Sequence, residues 1–140
     1  SLTGGQLDVG GPVTARVFAV GNSVAGARFT QEGGTLYTSS AIQVPTTLAN
    51  ARGRYDMLDG RIFMAQAFSI GFGNYSIGEF RMTTGTVRST AGNMVVGFSN
   101  YATGTLVLSN GTIQSAGHWV VGRGTGATGI VQMNGGSIAT

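Results

Sequence analysis

Apolar and variable residues alternate in short runs along most of this chain, and the runs recur at a fixed interval. Alternation with a period of two is the mark of a half-buried strand. Glycine, asparagine, threonine and serine crowd the gaps between runs, where tight corners and positive φ are needed. No segment sustains a 3.6-residue pattern, which excludes helical repeats. The interval is 25 to 26 residues, anchored by a glycine two places before an aliphatic: Gly34-Thr35-Leu36, Gly60-Arg61-Ile62, Gly85-Thr86-Val87, Gly111-Thr112-Ile113 and Gly136-Ser137-Ile138. Gly5-Gln6-Leu7 reads as a degenerate earlier copy. Such a period signals a solenoid, whose units bury their apolar faces only by stacking on one another.

Each unit holds three apolar stretches. The first ends in aliphatic-glycine, as in Phe68-Ser69-Ile70-Gly71 and Met94-Val95-Val96-Gly97, with Pro45 in the glycine slot of one unit. The second begins at a small residue, as in Gly78-Glu79-Phe80, and the third is the anchor itself. Stacking in register predicts five inward columns. They are Phe18, Ile42, Phe68, Met94, Trp119; Val20, Val44, Ile70, Val96, Val121; Phe29, Tyr55, Phe80, Leu106, Val131; Leu2, Gln31, Met57, Met82, Leu108, Met133; and Leu7, Leu36, Ile62, Val87, Ile113, Ile138. Gln31 is the one polar entry and must find hydrogen bonds. The expected fold is an all-β parallel β-helix, a single domain over 1–140. Residues 1–16 are expected to form a partial coil and a loop, with the extra residues of a longer first interval in 10–16, and 17–140 to form five coils. At the usual strand spacing, five coils make a rod about 24 Å long.

Composition sharpens this picture. Charged residues are only 9% of the chain and glycine supplies 25 of 140 positions, yet 41% of residues are hydrophobic and regularly spaced, which argues against a disordered linker. The net charge of +3 comes from eight arginines, no lysine and five acids, with no basic run. A nucleic-acid surface needs a basic cluster, so no such partner is expected. Cysteine is absent, which removes disulfides and thiolate metal sites. No apolar run reaches membrane-spanning length, so no membrane insertion is expected. Ser1 in place of Met fits a processed secretory precursor.

The order aliphatic-Val-Gly, then Gly-Thr-Leu, then Asn-Gly-Thr-Ile resembles the short repeats of bacterial autotransporter passengers and of PEP-CTERM-associated surface proteins. The likeness is best over Met94 to Ile113 and Trp119 to Ile138, and extends to Phe68 to Val87. It implies a right-handed β-helix, secreted or displayed at the cell surface, without catalytic residues in the repeat. Pro45 and Ala27 depart from the glycines of the pattern.

Candidate chemistry is sparse. Polysaccharide hydrolysis needs converging carboxylates, and lyase chemistry needs a base with calcium-binding acids. Only Asp8, Glu32, Asp56, Asp59 and Glu79 are present. Asp56 is expected beside Arg81, and Glu79 above Arg54, as ion pairs between coils; Asp59 falls at a turn. His118 is the sole histidine and has no partner in register, so it reads as surface. Gly122 to Gly126 lacks the ending of a phosphate loop, and Asn74-Tyr75-Ser76 and Asn110-Gly111-Thr112 match the glycosylation sequon by chance. No enzyme activity, cofactor or metal is expected. Two surfaces stand out. Phe72 over Phe98 and Tyr75 over Tyr101 would ladder along one corner, as packing or as a lateral surface for glycan or another subunit. At the ends, Leu2, Leu7 and Val9, read as the third strand of an incomplete coil, would dock on Val131, Met133 and Ile138 of a neighbour. The expected function is a secreted, extracellular structural subunit stacking head to tail into a filament. The alternative is an adhesin or carbohydrate-binding module.

Overall fold

The computed structural model describes residues 6–9, 13–15 and 17–140. They form a parallel β-solenoid of about five turns, with each strand paired to its equivalents in the adjoining coils. Sheet I contains Gln6–Val9, Ala27–Gln31, Arg52–Met57, Ile77–Met82, Thr103–Leu108 and Thr128–Met133. Sheet II contains Val13–Ala15, Thr35–Thr38, Arg61–Met64, Thr86–Ser89, Thr112–Ser115 and Ser137–Ala139. Sheet III contains Phe18–Ala19, Ile42–Val44, Phe68–Ile70, Met94–Val96 and Trp119–Val121.

The columns follow from this register. Phe29, Tyr55, Phe80, Leu106 and Val131 align along sheet I, and Leu36, Ile62, Val87, Ile113 and Ile138 along sheet II. Phe18, Ile42, Phe68, Met94 and Trp119 align along sheet III. The aromatic members meet edge to face, Tyr55 against Phe29 at 4.8 Å and against Phe80 at 5.2 Å, the arrangement ring quadrupoles favour. A sixth inward row, Thr38, Met64, Ser89 and Ser115, escapes an apolar pattern because most of its members are polar. The Ser89 hydroxyl donates to the Gln66 carbonyl at 2.7 Å and the Ser115 hydroxyl to the Gly92 carbonyl at 2.8 Å. These serines therefore satisfy corner backbone rather than pack apolar surface.

The first coil departs from expectation. Leu7 aligns with Phe29 and Val9 with Gln31 in sheet I, so Leu7 does not head the column of Leu36. That place belongs to Val13, which aligns with Leu36 in sheet II. Gly5-Gln6-Leu7 is thus not an anchor copy, and 13–15 is a strand rather than loop or bulge. The strand containing Leu7 and Val9 also belongs to the second stretch of the repeat rather than the third. The first interval is shorter than the others, with Leu7 and Phe29 only 22 positions apart. Leu2, assigned to the fourth column and to a docking end, lies outside the described residues.

Two devices let coils approach closely. At the sheet II corner, Gly85 has φ of +105°, and a Cβ there would lie 2.4 Å from the Gly60 carbonyl oxygen. Only glycine fits both demands. Gln31, buried in the aliphatic column, donates from Nε2 to the carbonyls of Gly33 and Arg61, each at 3.2 Å, and accepts from the Tyr55 hydroxyl at 2.5 Å. Burial lifts the Tyr55 phenol well above its ordinary value of 10.0.

Gly85→Ala is expected to cost about 2 kcal/mol or more, measured by urea unfolding, because both the backbone angle and the approach are lost. Tyr55→Phe strands the Gln31 carbonyl oxygen and is expected to cost about 1 to 3 kcal/mol. Because the folded phenol holds its proton longer than the unfolded one, its contribution is complete below pH about 10 and is lost as pH rises toward the folded value. The alkaline loss of stability attributable to this group should be missing in Tyr55→Phe; an identical alkaline profile would refute the assignment.

Candidate ligand and assembly surfaces

The outer face of sheet I gathers five of the chain's 13 charged residues, Arg28, Arg54, Asp56, Glu79 and Arg81. Asp56 faces outward, yet only 4% of its side chain is exposed, because Arg28 Nε at 2.5 Å and Arg54 Nη2 at 2.8 Å close over it. Arg54 also reaches Glu79 at 3.8 Å, and Glu79 accepts from Arg81 Nε at 2.6 Å. The chain of contacts is Arg28, Asp56, Arg54, Glu79, Arg81. The Glu79–Arg54 pair is as expected. Arg81 stands beside Asp56 in register but binds Glu79, two residues back on its own strand, because the two arginines of the preceding coils already hold Asp56. The hydrogen bond to Asp56 holds the Arg54 guanidinium pKa above its ordinary value, so that cation persists throughout the accessible pH range. A groove of about 230 Å³ runs beside this network.

The remaining titratable groups stay apart. The Asp59 carboxylate accepts from the Gly60 N–H at 2.7 Å, a turn contact beside a polar depression of about 500 Å³ along the glycine corner. His118 is exposed, and its backbone N–H donates to Asn93 Oδ1 at 2.8 Å. Among the described residues, no three histidine or acidic side chains gather to hold a metal ion. Among the same residues, no helix is long and apolar enough to cross a membrane.

The corner between sheets III and I assembles the aromatic residues named from sequence. Phe72 and Phe98 lie 4.6 Å apart between ring centroids, and Tyr75 and Tyr101 stack at 5.0 Å with only 8° between planes. The tyrosines are more than half exposed, at 58% and 53%. Two features lay beyond the sequence reading. Arg123 extends the phenylalanine pair, its guanidinium carbon 4.5 Å from the Phe98 centroid. Tyr75 and Tyr101 also sit in the left-handed region, with φ of +57° and +56°. Their slot is held by Asn50 one coil earlier and by Gly126 one coil later, residues that tolerate that region. Those neighbours were the available signal. A tyrosine there costs of order 1 kcal/mol or more, so its ring must return something by its position. Gly126 leaves room for the ladder, since a Cβ there would lie 2.7 Å from a Tyr101 ring carbon and the exposed ring would have to shift.

The last coil exposes its inward row. Val121 is 51% exposed and Met133 48%, whereas their equivalents one coil earlier, Val96 and Leu108, are buried. Val131, Ile138 and Trp119 are half-buried, and the Trp119 indole N–H, itself buried, has no acceptor. The strands of Leu7 and Val9, and of Val131 and Met133, occupy opposite edges of sheet I. Ile138 lies at one edge of sheet II, whose other edge is the strand of Val13. Val13 thus stands at the sheet II edge opposite Ile138, and Leu7 and Val9 at the sheet I edge opposite Val131 and Met133.

No protein-family model, curated protein or solved structure matches this chain.

Asp56→Ala leaves two arginines without their shared carboxylate and is expected to cost about 1 to 3 kcal/mol, less than for a fully buried pair because both guanidinium groups keep water contact. Glu79→Ala should cost under about 1 kcal/mol. Chemical denaturation of both variants tests the ordering; equal losses would show that Asp56 is not the hub of the network.

Proposed function

We propose that this protein is a non-catalytic structural subunit of an extracellular filament or surface fibre, built by head-to-tail stacking of solenoids. The observation carrying this reading is the last described coil, which leaves an apolar row exposed. Its row of Trp119, Val121, Val131, Met133 and Ile138 is the same inward row that each earlier coil covers with the next. Uncovered parallel strands with unpaired amide and carbonyl groups offer a template for a further rung. A second copy meets that template with the strands Gln6–Val9 and Val13–Ala15, placing Leu7 on Val131, Val9 on Met133 and Val13 on Ile138. Such a contact joins two different surfaces and does not close on itself, so it propagates. Export and surface display agree with the resemblance of the repeat to bacterial surface proteins.

The competing reading, a monomeric adhesin or carbohydrate-binding module, draws on the strained tyrosine pair at the corner.

Electron microscopy of the purified chain at micromolar concentration is expected to show thin, unbranched fibres. Met133→Asp, at an exposed edge position, should abolish them by placing a charge in the junction, with the far-UV circular dichroism unchanged. Dispersed monomers of the unaltered chain, or fibres that persist in Met133→Asp, would overturn the filament reading.

A further inference from the structure

The corner between sheets III and I combines cations, amides and aromatic rings. Its five segments, 20–27, 45–52, 71–77, 97–103 and 122–128, contain no acidic residue. They hold two arginines, four asparagines and the four aromatics described above. On the outer face of sheet I, Arg28, Arg54 and Arg81 are paired with Asp56 and Glu79. At this corner, Arg52 and Arg123 have no carboxylate partner among the described residues, and both are exposed. Arg123 is held by the face of Phe98 instead.

The order along the axis adds to this. Arg52 belongs to the second coil, Tyr75 to the third, Tyr101 to the fourth and Arg123 to the fifth. The cations thus bracket the tyrosine ladder, three coils apart, a span of about 14 Å at the usual strand spacing. Arg52 follows the left-handed slot in its coil and Arg123 precedes it, so the line between them crosses the tyrosine pair diagonally. Asn50, Asn74 and Asn100 stand on this surface, exposed, with Asn100 Oδ1 already accepting from the Thr125 N–H at 3.0 Å.

We propose that this corner binds an acidic polysaccharide, a chain of sugars bearing carboxylate or sulfate groups, laid along the solenoid axis. The charge is complementary, with two unpaired guanidinium groups and no competing acid. The aromatic geometry then defines the mode of contact. The two tyrosine faces are turned to each other, and the second face of Tyr101 lies on Gly126. With those faces covered, the ring edges and phenolic hydroxyls are the groups that both tyrosines offer a sugar. The left-handed backbone at both tyrosines holds those edges at successive coil heights, a repeat suited to a linear polymer rather than to a compact ligand. The site needs no filament, since it lies within one chain.

The test is the affinity of the full-length chain, by titration calorimetry, for oligogalacturonate, for a heparin oligosaccharide, for a neutral glucan of equal length and for single-stranded DNA. Saturable binding of one or both acidic sugars, weakening with salt, is expected; whichever binds tighter identifies carboxylate or sulfate as the preferred group. Arg52→Gln and Arg123→Gln should each weaken it roughly three- to tenfold. The double variant Tyr75→Phe/Tyr101→Phe keeps the rings and removes only the hydroxyls, so it should weaken binding with the fold intact by circular dichroism. Failure of both acidic sugars to bind, equal affinity for the glucan or the DNA, or binding indifferent to these substitutions would overturn the proposal.

Discussion

The parallel, in-register bonding of each coil to the next is the constraint on which everything else in this protein rests. A coil of three short strands buries too few side chains to hold its own backbone. Its amides find their partners in neighbouring coils, as when the Gly71 N–H donates to the Val44 carbonyl and the Gly97 N–H to the Ile70 carbonyl. Once register is set, each inward position lies above its equivalent, and the interior becomes columns of like residues. The same register dictates the glycines. Where the corner brings backbone against backbone, as at Gly85 over Gly60, no side chain can be accommodated.

Polar groups enter this interior on the same terms. Gln31 is tolerated because the corner carbonyls of Gly33 and Arg61 and the Tyr55 hydroxyl surround it. Ser89 and Ser115 are tolerated because each caps a carbonyl at a turn. On the outside the logic inverts. Asp56 becomes buried not by the core but by arginines from its own strand and the preceding one, so stacking concentrates charge on one face of sheet I. The corner between sheets III and I carries cations and aromatics but no acid.

Much of the fold was legible because a period in sequence becomes a column in space. Three of the five predicted columns run as read, from Phe18, Val20 and Phe29, a fourth runs so from Leu36 once Leu7 is set aside, and the two corner ladders form as expected. The fifth, along Gln31 and Met57, does so after its first member. The errors have physical origins. Gly5-Gln6-Leu7 satisfies two slots of the repeat equally, since both begin with a small residue followed two places later by an apolar one. Only backbone pairing separates them. Spacing placed Asp56 beside Arg81 correctly, but proximity in register does not choose among several cations within reach of one carboxylate. The backbone strain at Tyr75 and Tyr101 was hidden because tyrosine gives no hint of a left-handed slot. Only comparison with Asn50 and Gly126 reveals it.

That strain connects the outer surface to the stacking constraint. The left-handed turn is imposed by the path of every coil, whatever residue occupies it, as φ near +60° at Asn50, Tyr75, Tyr101 and Gly126 shows. Asparagine or glycine would meet it at least cost. A pair of stacked, exposed tyrosines therefore represents an expenditure that the coil itself does not require. The ladder recovers part of it through ring contact, since aromatic pairs contribute about 0.5 to 1.5 kcal/mol beyond burial. Contact alone leaves unexplained why the rings lie at a corner free of acids, between two arginines that have no carboxylate partner among the described residues. The solenoid is rigid along its axis, so side chains placed on equivalent slots keep their spacing without further support. Recognition of a linear polymer needs little more than that: a few groups at a constant interval, on a backbone that cannot shorten it.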